Sequence, residues 1–374
     1  MRLVATITAR PSYARILTAL EALRAANPSG SRVGGSTVDL TVLATGAACS
    51  PRYGHVSAQI RQDGFHVSEL PGAWDDDHPG GMAHMVGHQI VRVADWLRQA
   101  APDAVLTVAD RYETLATAIA ASYQGIPLIH VQGGEVSGNI DDKVRHAVTQ
   151  LADLHLVATA AAGARVQAMR PKGPIHVTGC PSIDLALRTP DGDVDLPGIG
   201  PDVDTRQPFL LVLHHPVTDR WQDAGAQTAG LLAAVEGSNL PCIWFWPNVD
   251  AGAAGVEKVL RVAHERGAAI RFVRQVPPED FIRLMRRCAL MLGNSSASLR
   301  EGSALGIPAV ILGSRQMGRE MGPNVRLVDR LTAWDIEMWI QATRPAPSPL
   351  YGDGQAGPRM AQAIQQWWQM RRAA

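Results

Sequence analysis

Short runs dominated by apolar residues alternate along the chain with longer stretches whose apolar residues recur at three- and four-residue intervals. Residues 3–7, 38–43, 104–108, 128–131, 154–158 and 175–177 are of the first kind, the pattern of strands buried on both faces of a parallel sheet. Residues 13–26, 82–99, 111–123, 141–151 and 160–169 are of the second. In the first of these, Ile16, Leu17, Leu20 and Leu23 form one apolar stripe of a helix. Strand followed by helix, repeated, predicts a doubly wound α/β domain.

The alternation stops at residues 189–208, TPDGDVDLPGIGPDVDTRQP, where Pro, Gly and Asp dominate and no period survives. It resumes with strand patterns at 209–213, 243–246, 270–273, 290–292, 309–312 and 325–328, with helical patterns between them that include 279–287 and 296–305. A last amphipathic segment, 360–370, carries Trp367 and Trp368. The expected organisation is a Rossmann-like domain over 1–188, a linker over 189–208, and a second Rossmann-like domain over 209–374 whose final helix packs on one domain or bridges both. The fold class is therefore α/β: two doubly wound domains facing one another across a cleft, the GT-B architecture, with the active site between them.

Composition narrows the function. The chain has 374 residues, with 35 Lys and Arg against 35 Asp and Glu, and this neutrality removes the main drive toward nucleic acid or anionic membrane. No apolar run approaches the roughly 18–20 residues that span a bilayer, and the first apolar stretch is too short for a secretory signal, so a soluble cytoplasmic protein is expected. Cys49, Cys180, Cys242 and Cys288 lie far apart with no CxxC pair, which predicts neither a disulfide framework nor a zinc knuckle. His84 and His88 have an i, i+4 spacing but lack the acid of an HExxH pair and a third ligand, so no metal is expected. There is no P-loop and no GxGxxG, and no cofactor is implied.

Ligands of an open parallel sheet collect at the carboxyl ends of its strands, so the residues just past each strand matter most. After 3–7 come Arg10, Pro11, Ser12 and Arg15 at a helix start, a place for a phosphate or carboxylate. After 104–108 come Asp110 and Arg111. After 128–131 come Gln132, Gly133, Gly134, Glu135, Gly138 and Asp141, where the glycines permit close backbone approach to a ligand. Asp110 and Asp141 also suit helix caps, but three carboxylates at consecutive strand ends shift one another's pKa values and separate acid from base roles. In the second half His215, held by Pro216, is placed to donate to a phosphate oxygen or act as an acid. The strand at 243–246 leads into residues 246–252, WPNVDAG, whose polar side chains Asn248 and Asp250 suit sugar hydroxyls or an ordinary turn. The strand at 290–292 feeds Ser295 and Ser296 at a helix N-terminus, a diphosphate site, with Glu301 placed for ribose hydroxyls. Arg315 and Arg319 come after the strand at 309–312.

The segments ADRYETLATAIAASYQGIPLIHVQGGEVSGNIDDKVRHAVTQLADLHLVAT, TGCPSIDLAL, HHPVT, WPNVDAG and GNSSASLREGSALGIPAVILGSRQMGRE together resemble the hydrolysing UDP-N-acetylglucosamine 2-epimerases, which serve sialic and legionaminic acid-type sugars. The likeness extends over nearly all of residues 1–330, in order. It implies a GT-B enzyme, commonly a homodimer, acting on a nucleotide sugar. By position it implies that Arg10 contacts the nucleotide diphosphate and that Asp110 and Asp141 are catalytic acids. His215 matches the histidine of the HPVT motif, Ser295, Ser296 and Glu301 match diphosphate and ribose contacts, and Arg315 and Arg319 match a basic loop that closes over the nucleotide. Arg15 and Arg111 are further candidates for substrate binding. Where several relatives carry glutamate this chain has Gln132, an amide that cannot act as a base, and Glu135 is the acidic alternative three residues on. Ala109 replaces the glycine usual before the Asp-Arg pair, with a small effect expected.

The chemistry this implies is elimination across C1–C2 of the sugar, expelling nucleoside diphosphate, then proton return to the opposite face of C2 and water addition at C1. Free 2-epimer, N-acetylmannosamine or a related sugar, would result. The competing readings are a non-hydrolysing epimerase, a GT-B glycosyltransferase and a catalytically silent nucleotide-sugar-binding protein.

Overall fold

The computed structural model describes residues 1–26, 38–72, 77–169 and 173–373. The strands are β1 (Arg2–Ile7), β2 (Asp39–Gly46), β3 (Val67–Pro71), β4 (Ala104–Val108), β5 (Leu128–Val131), β6 (Leu154–Val157), β7 (Ile175–Val177), β8 (Leu210–Leu213), β9 (Cys242–Phe245), β10 (Ile270–Val273), β11 (Leu290–Gly293), β12 (Ala309–Leu312) and β13 (Val325–Val328). They form two parallel sheets. One has seven strands in the order β3-β2-β1-β4-β5-β6-β7, the other six in the order β10-β9-β8-β11-β12-β13. Both reflect the sequence physics: β4, β5, β6, β8, β9 and β11 are buried at every residue, as continuous apolar runs between two helical layers require.

Residues 189–208, expected as the linker, run along the edge of the second sheet. Ile199 makes an antiparallel bridge to Phe272 on the edge strand β10, and Arg271 donates to the carbonyls of Gly200 and Leu196 at 2.9 and 2.8 Å. Gly198 and Gly200 sit at φ 148° and 98° with the carbonyls of Phe272 and Ile270 where a Cβ would stand, so only glycine lets the backbone lie this close.

The chain crosses between the domains a second time near Tyr351, and its last helix, Ala356–Ala373, returns to the first domain. There Met360, Ile364 and Trp367 are buried in one cluster with Leu17 and Leu20. Asp184, near the end of the first domain, caps that helix by accepting from the amides of Ala356 and Gly357 at 2.9 and 2.6 Å. The core thus runs across both domains. No helix of the described residues is long and apolar enough to cross a membrane, and all four cysteines are free and buried.

Candidate active site

Each sheet reverses its strand order beside its first strand, between β1 and β4 in one and between β8 and β11 in the other. The carboxyl ends at such a switch point leave a crevice, and here the two crevices face each other. Arg10, Arg15, His215, Ser295, Ser296, Glu301 and Arg315 line a single cavity between the domains. Phe245 and Phe281 form its apolar side, with the Arg10 guanidinium 5.6 Å from the Phe245 ring centroid.

The cavity is built to receive an anion and hydroxyls. Burial pulls Arg10 down to about 10, still cationic at neutral pH. His215 is held well below its usual range by burial and by the charges of Arg315 and Arg10. Its Nδ1 accepts from the Asn248 amide at 3.2 Å, which leaves Nε2 carrying the proton. His215 is therefore a neutral N–H donor, not a proton-releasing acid. Asn294 fixes it further: its Oδ1 accepts from the His215 amide at 2.8 Å and its Nδ2 donates to the His215 carbonyl at 2.7 Å. Glu301 is raised by burial, and its Oε2 has no hydrogen-bond partner among the described residues, which leaves it able to accept from a ligand hydroxyl.

Behind the cavity lies a dense ionic cluster. Asp110 pairs with Arg145, with Arg319 at 3.0 Å and with Arg15 at 3.8 Å. Glu135 pairs with Arg300 and Arg319. Burial alone would raise both carboxylates. The charges of Arg145, Arg319 and Arg15 outweigh it and hold Asp110 well below the usual carboxylate range, and Arg300, Arg319 and Arg145 do the same for Glu135. Asp141 differs: it makes no ion pair among the described residues, and burial plus the neighbouring Asp110 charge push it up to about 6. One arginine joins the two regions. Arg15 donates through Nη2 to Ser296 Oγ at 2.6 Å, while Nη1 faces Asp110 at 3.8 Å.

Several expectations change. Ser295 and Ser296 do not open a long helix, because the chain from Ser296 to Arg300 makes tight turns and the helix is only Glu301–Leu305. The helix expected over 13–26 is broken into Arg10–Ala14 and Leu17–Ala25, and the break lets Arg15 turn toward Ser296. Arg111 lies outside the cavity lining. Its guanidinium grips Glu113 twice at 3.0 Å and reaches Asp250 in the other domain at 3.1 Å, an interdomain clamp rather than a substrate contact. Arg319 belongs to the ionic cluster, not to a mobile loop over the nucleotide. Gln132 is fully buried at φ 64° with its amide donating to Cys180 Sγ at 3.0 Å, so it touches neither cavity nor cluster, and Glu135 is the member of this loop among the acids. Neither Asp110 nor Asp141 is a cap, since the N-cap positions are Arg111 and Asn139. Ala109 stands at φ 63°, where alanine is strained by roughly 1 kcal/mol, the cost that goes with its replacement of glycine.

Arg145 and Arg300 are members of the site that sequence reasoning passes over. Arg145 carries a readable signal: it falls on the buried face of the helix Ile140–Leu151 beside Val148 and Thr149, and a cation there requires partners. His84 and His88 line a different cavity with Asp77 and Tyr112, and among the described residues no group of His, Cys, Asp or Glu is placed to hold a metal ion.

Two parallel-sheet domains with their switch points opposed, enclosing an anion-gripping cavity backed by carboxylates, define a GT-B protein. Comparison with known proteins takes this further: residues 34–365 match the UDP-N-acetylglucosamine 2-epimerase family, and the chain belongs to it. It is 31% identical over 335 residues to the UDP-N,N'-diacetylbacillosamine 2-epimerase (hydrolyzing) of Legionella pneumophila, covering 87% of this chain and 88% of that one. It is 27% identical over 294 residues to the UDP-N-acetylglucosamine 2-epimerase of Neisseria meningitidis, covering 77% and 75%. Among solved structures, the Methanocaldococcus jannaschii UDP-GlcNAc 2-epimerase in complex with UDP-GlcNAc and UDP superposes with a TM-score of 0.76 at 16% identity, over 98% of this chain and 100% of that one.

Proposed function

We propose that this protein is a hydrolysing nucleotide-sugar 2-epimerase, taking a UDP-linked 2-acetamido sugar to the free 2-epimer and UDP. The observation that carries the reading is Arg15, one guanidinium bound to the anion-side Ser296 and facing the acid-side Asp110. A leaving diphosphate and a reacting sugar carbon are adjacent in such a substrate, and Arg15 makes the groups that would serve them adjacent too.

In this mechanism Arg10, Arg15, Ser295, Ser296 and Arg315 hold the diphosphate and stabilise its charge as the C1–O bond breaks. Glu301 accepts from the ribose. Asp141, without an ion pair among the described residues and pushed up by burial and by Asp110, takes the C2 proton. Glu135, once it has taken up a proton from solvent, is made a strong acid by its two arginines and gives that proton to the opposite face of the glycal-like intermediate. Water then adds its hydroxyl at C1 and its remaining proton returns to Glu135, while the proton held by Asp141 leaves to solvent as UDP departs. Asp110 holds Arg15 and Arg145 in place and raises the basicity of Asp141. The hydrolysing relatives from Legionella and Campylobacter favour release of free sugar over return of the diphosphate. The buried reduced cysteines suit a cytoplasmic setting. Homodimer formation and a place in sialic acid-type sugar synthesis complete the reading.

The test is incubation with UDP-N-acetylglucosamine and with UDP-N,N'-diacetylbacillosamine in heavy water, with products followed by NMR. Free 2-epimer carrying deuterium at C2, with UDP, is the expected result. UDP-linked epimer would establish the non-hydrolysing reaction instead, and tight UDP binding without deuterium at C2 would establish a silent binding protein.

A further inference from the structure

The loop that supplies Ser295 and Ser296 ends in Arg300, a C-terminal-domain residue only 1% exposed. Its Nη2 donates to Glu135 Oε2 in the opposite domain. Its guanidinium also lies 4.9 Å from the ring centroid of Tyr351, on the second chain crossing. Tyr351 is itself anchored, its hydroxyl donating to the Glu320 carbonyl at 2.6 Å and its carbonyl accepting from the Cys180 amide at 2.7 Å. Burying a guanidinium costs several kcal/mol unless a carboxylate offsets it, yet Arg300 Nε and Nη1 and Glu135 Oε1 have no hydrogen-bond partner among the described residues. So costly a group at a fully covered position calls for a role beyond packing.

We propose that Arg300 is a positioning residue: it reaches across the cleft from the diphosphate loop and, with Arg319, orients the Glu135 carboxyl, so that a proton taken up there is aimed for return to the sugar only when the domains are closed. The inference rests on the epimerase reading above for the step it serves, but its charge and geometry stand independently. Glu135 is faced by Arg300 and Arg319 from the second domain and by Arg145 from the helix Ile140–Leu151, with Tyr351 from the crossing segment and Asp110 from the end of β4 nearby. Arg145 already holds the Glu135 carbonyl at 2.6 Å, fixing its backbone. Arg300 adds the constraint on the carboxylate that depends on the other domain. Because it sits on the same loop as the serines, a diphosphate that draws Ser295 and Ser296 inward also draws Arg300 toward Glu135.

The experiment compares wild type, Arg300→Leu and Arg300→Lys in the full-length protein, by two measurements. The first is a 13C NMR titration of glutamate carboxyls, with Glu135 assigned through Glu135→Gln. In Arg300→Leu the Glu135 midpoint should rise by about one unit or more, and Arg300→Lys should recover most of that shift. The second is product analysis: kcat should fall about 100-fold in Arg300→Leu with KM and UDP affinity within about twofold, and a larger share of the glycal-like intermediate should escape per UDP released. A lost side chain that merely loosened the fold would lower both half-reactions together. An unmoved Glu135 midpoint, or an unchanged ratio of intermediate to product, overturns the proposal. If wild type itself fails to turn over UDP sugars, the epimerase reading falls, while the titration still decides whether Arg300 governs the charge of Glu135.

Discussion

Glu135 and Asp141 lie beyond the same strand, six positions apart, and live under opposite conditions. Glu135 is clamped between two arginines from the other domain and held ionised. Asp141, in the first turn of the next helix, has Asp110 as its near neighbour in charge and is pushed up to about 6. Both are buried, so desolvation does not separate them; the identity of the nearest charge does. One loop thereby offers a carboxylate that readily accepts a proton and another that readily gives one up, the pairing that inversion at a single carbon requires.

The sharpest way to break this contrast is Asp141→Asn. Turnover should fall about 1000-fold while UDP affinity stays within about twofold, as measured by calorimetry. In wild type, kcat/KM should rise as pH passes through about 6, the value to which Asp141 is pushed, because the ionised form is the base. Stability should move the other way. A raised folded pKa means that ionising Asp141 costs folding energy, nothing below the ordinary carboxylate value and the full amount above about 6. Asp141→Asn should therefore stabilise the protein at pH 8 by about 1–3 kcal/mol and lose that gain by pH 3.5, as read from urea unfolding.

Breaking the clamped side should do the reverse. Arg145→Leu strands Asp110 and Asp142, both of which it contacts, and should destabilise the fold by about 3–5 kcal/mol at neutral pH. The loss should shrink as pH falls through the depressed carboxylate pKa values. Arg15→Leu cuts the bridge from Ser296 to Asp110, and should weaken UDP binding about tenfold with little effect on melting. The smallest effect is at the turn that aims Asp110: Ala109→Gly should stabilise by up to about 1 kcal/mol, since it relieves the positive φ but adds unfolded-state freedom.

Much of this architecture is legible in the sequence because buried parallel strands are unbroken apolar runs. β3 escapes because Val67–Pro71 is a half-exposed edge strand whose Ser68 and Glu69 interrupt the run. The turns through Ser296–Arg300 read as helix because their spacing imitates helical period, and only the tertiary pull of Arg15 and Asn294 reveals otherwise. The acids are found by their places at strand ends. Arg145 and Arg300 are not, although Arg15 and Arg319 are, because a cation within an apolar period is ordinarily assigned to solvent. Arg145 and Arg300 can be told from solvated arginines only once the opposite domain is in place.

The return of the polypeptide to its starting half has a mechanical consequence. Two covalent straps join the lobes, one laid along the edge of β10 and one passing Tyr351, and the second is fastened where Asp184 grips the amides of Ala356 and Gly357. A body tethered at two points swings about the line through them and resists twisting about any other. Release of the expelled nucleotide must trace that single arc.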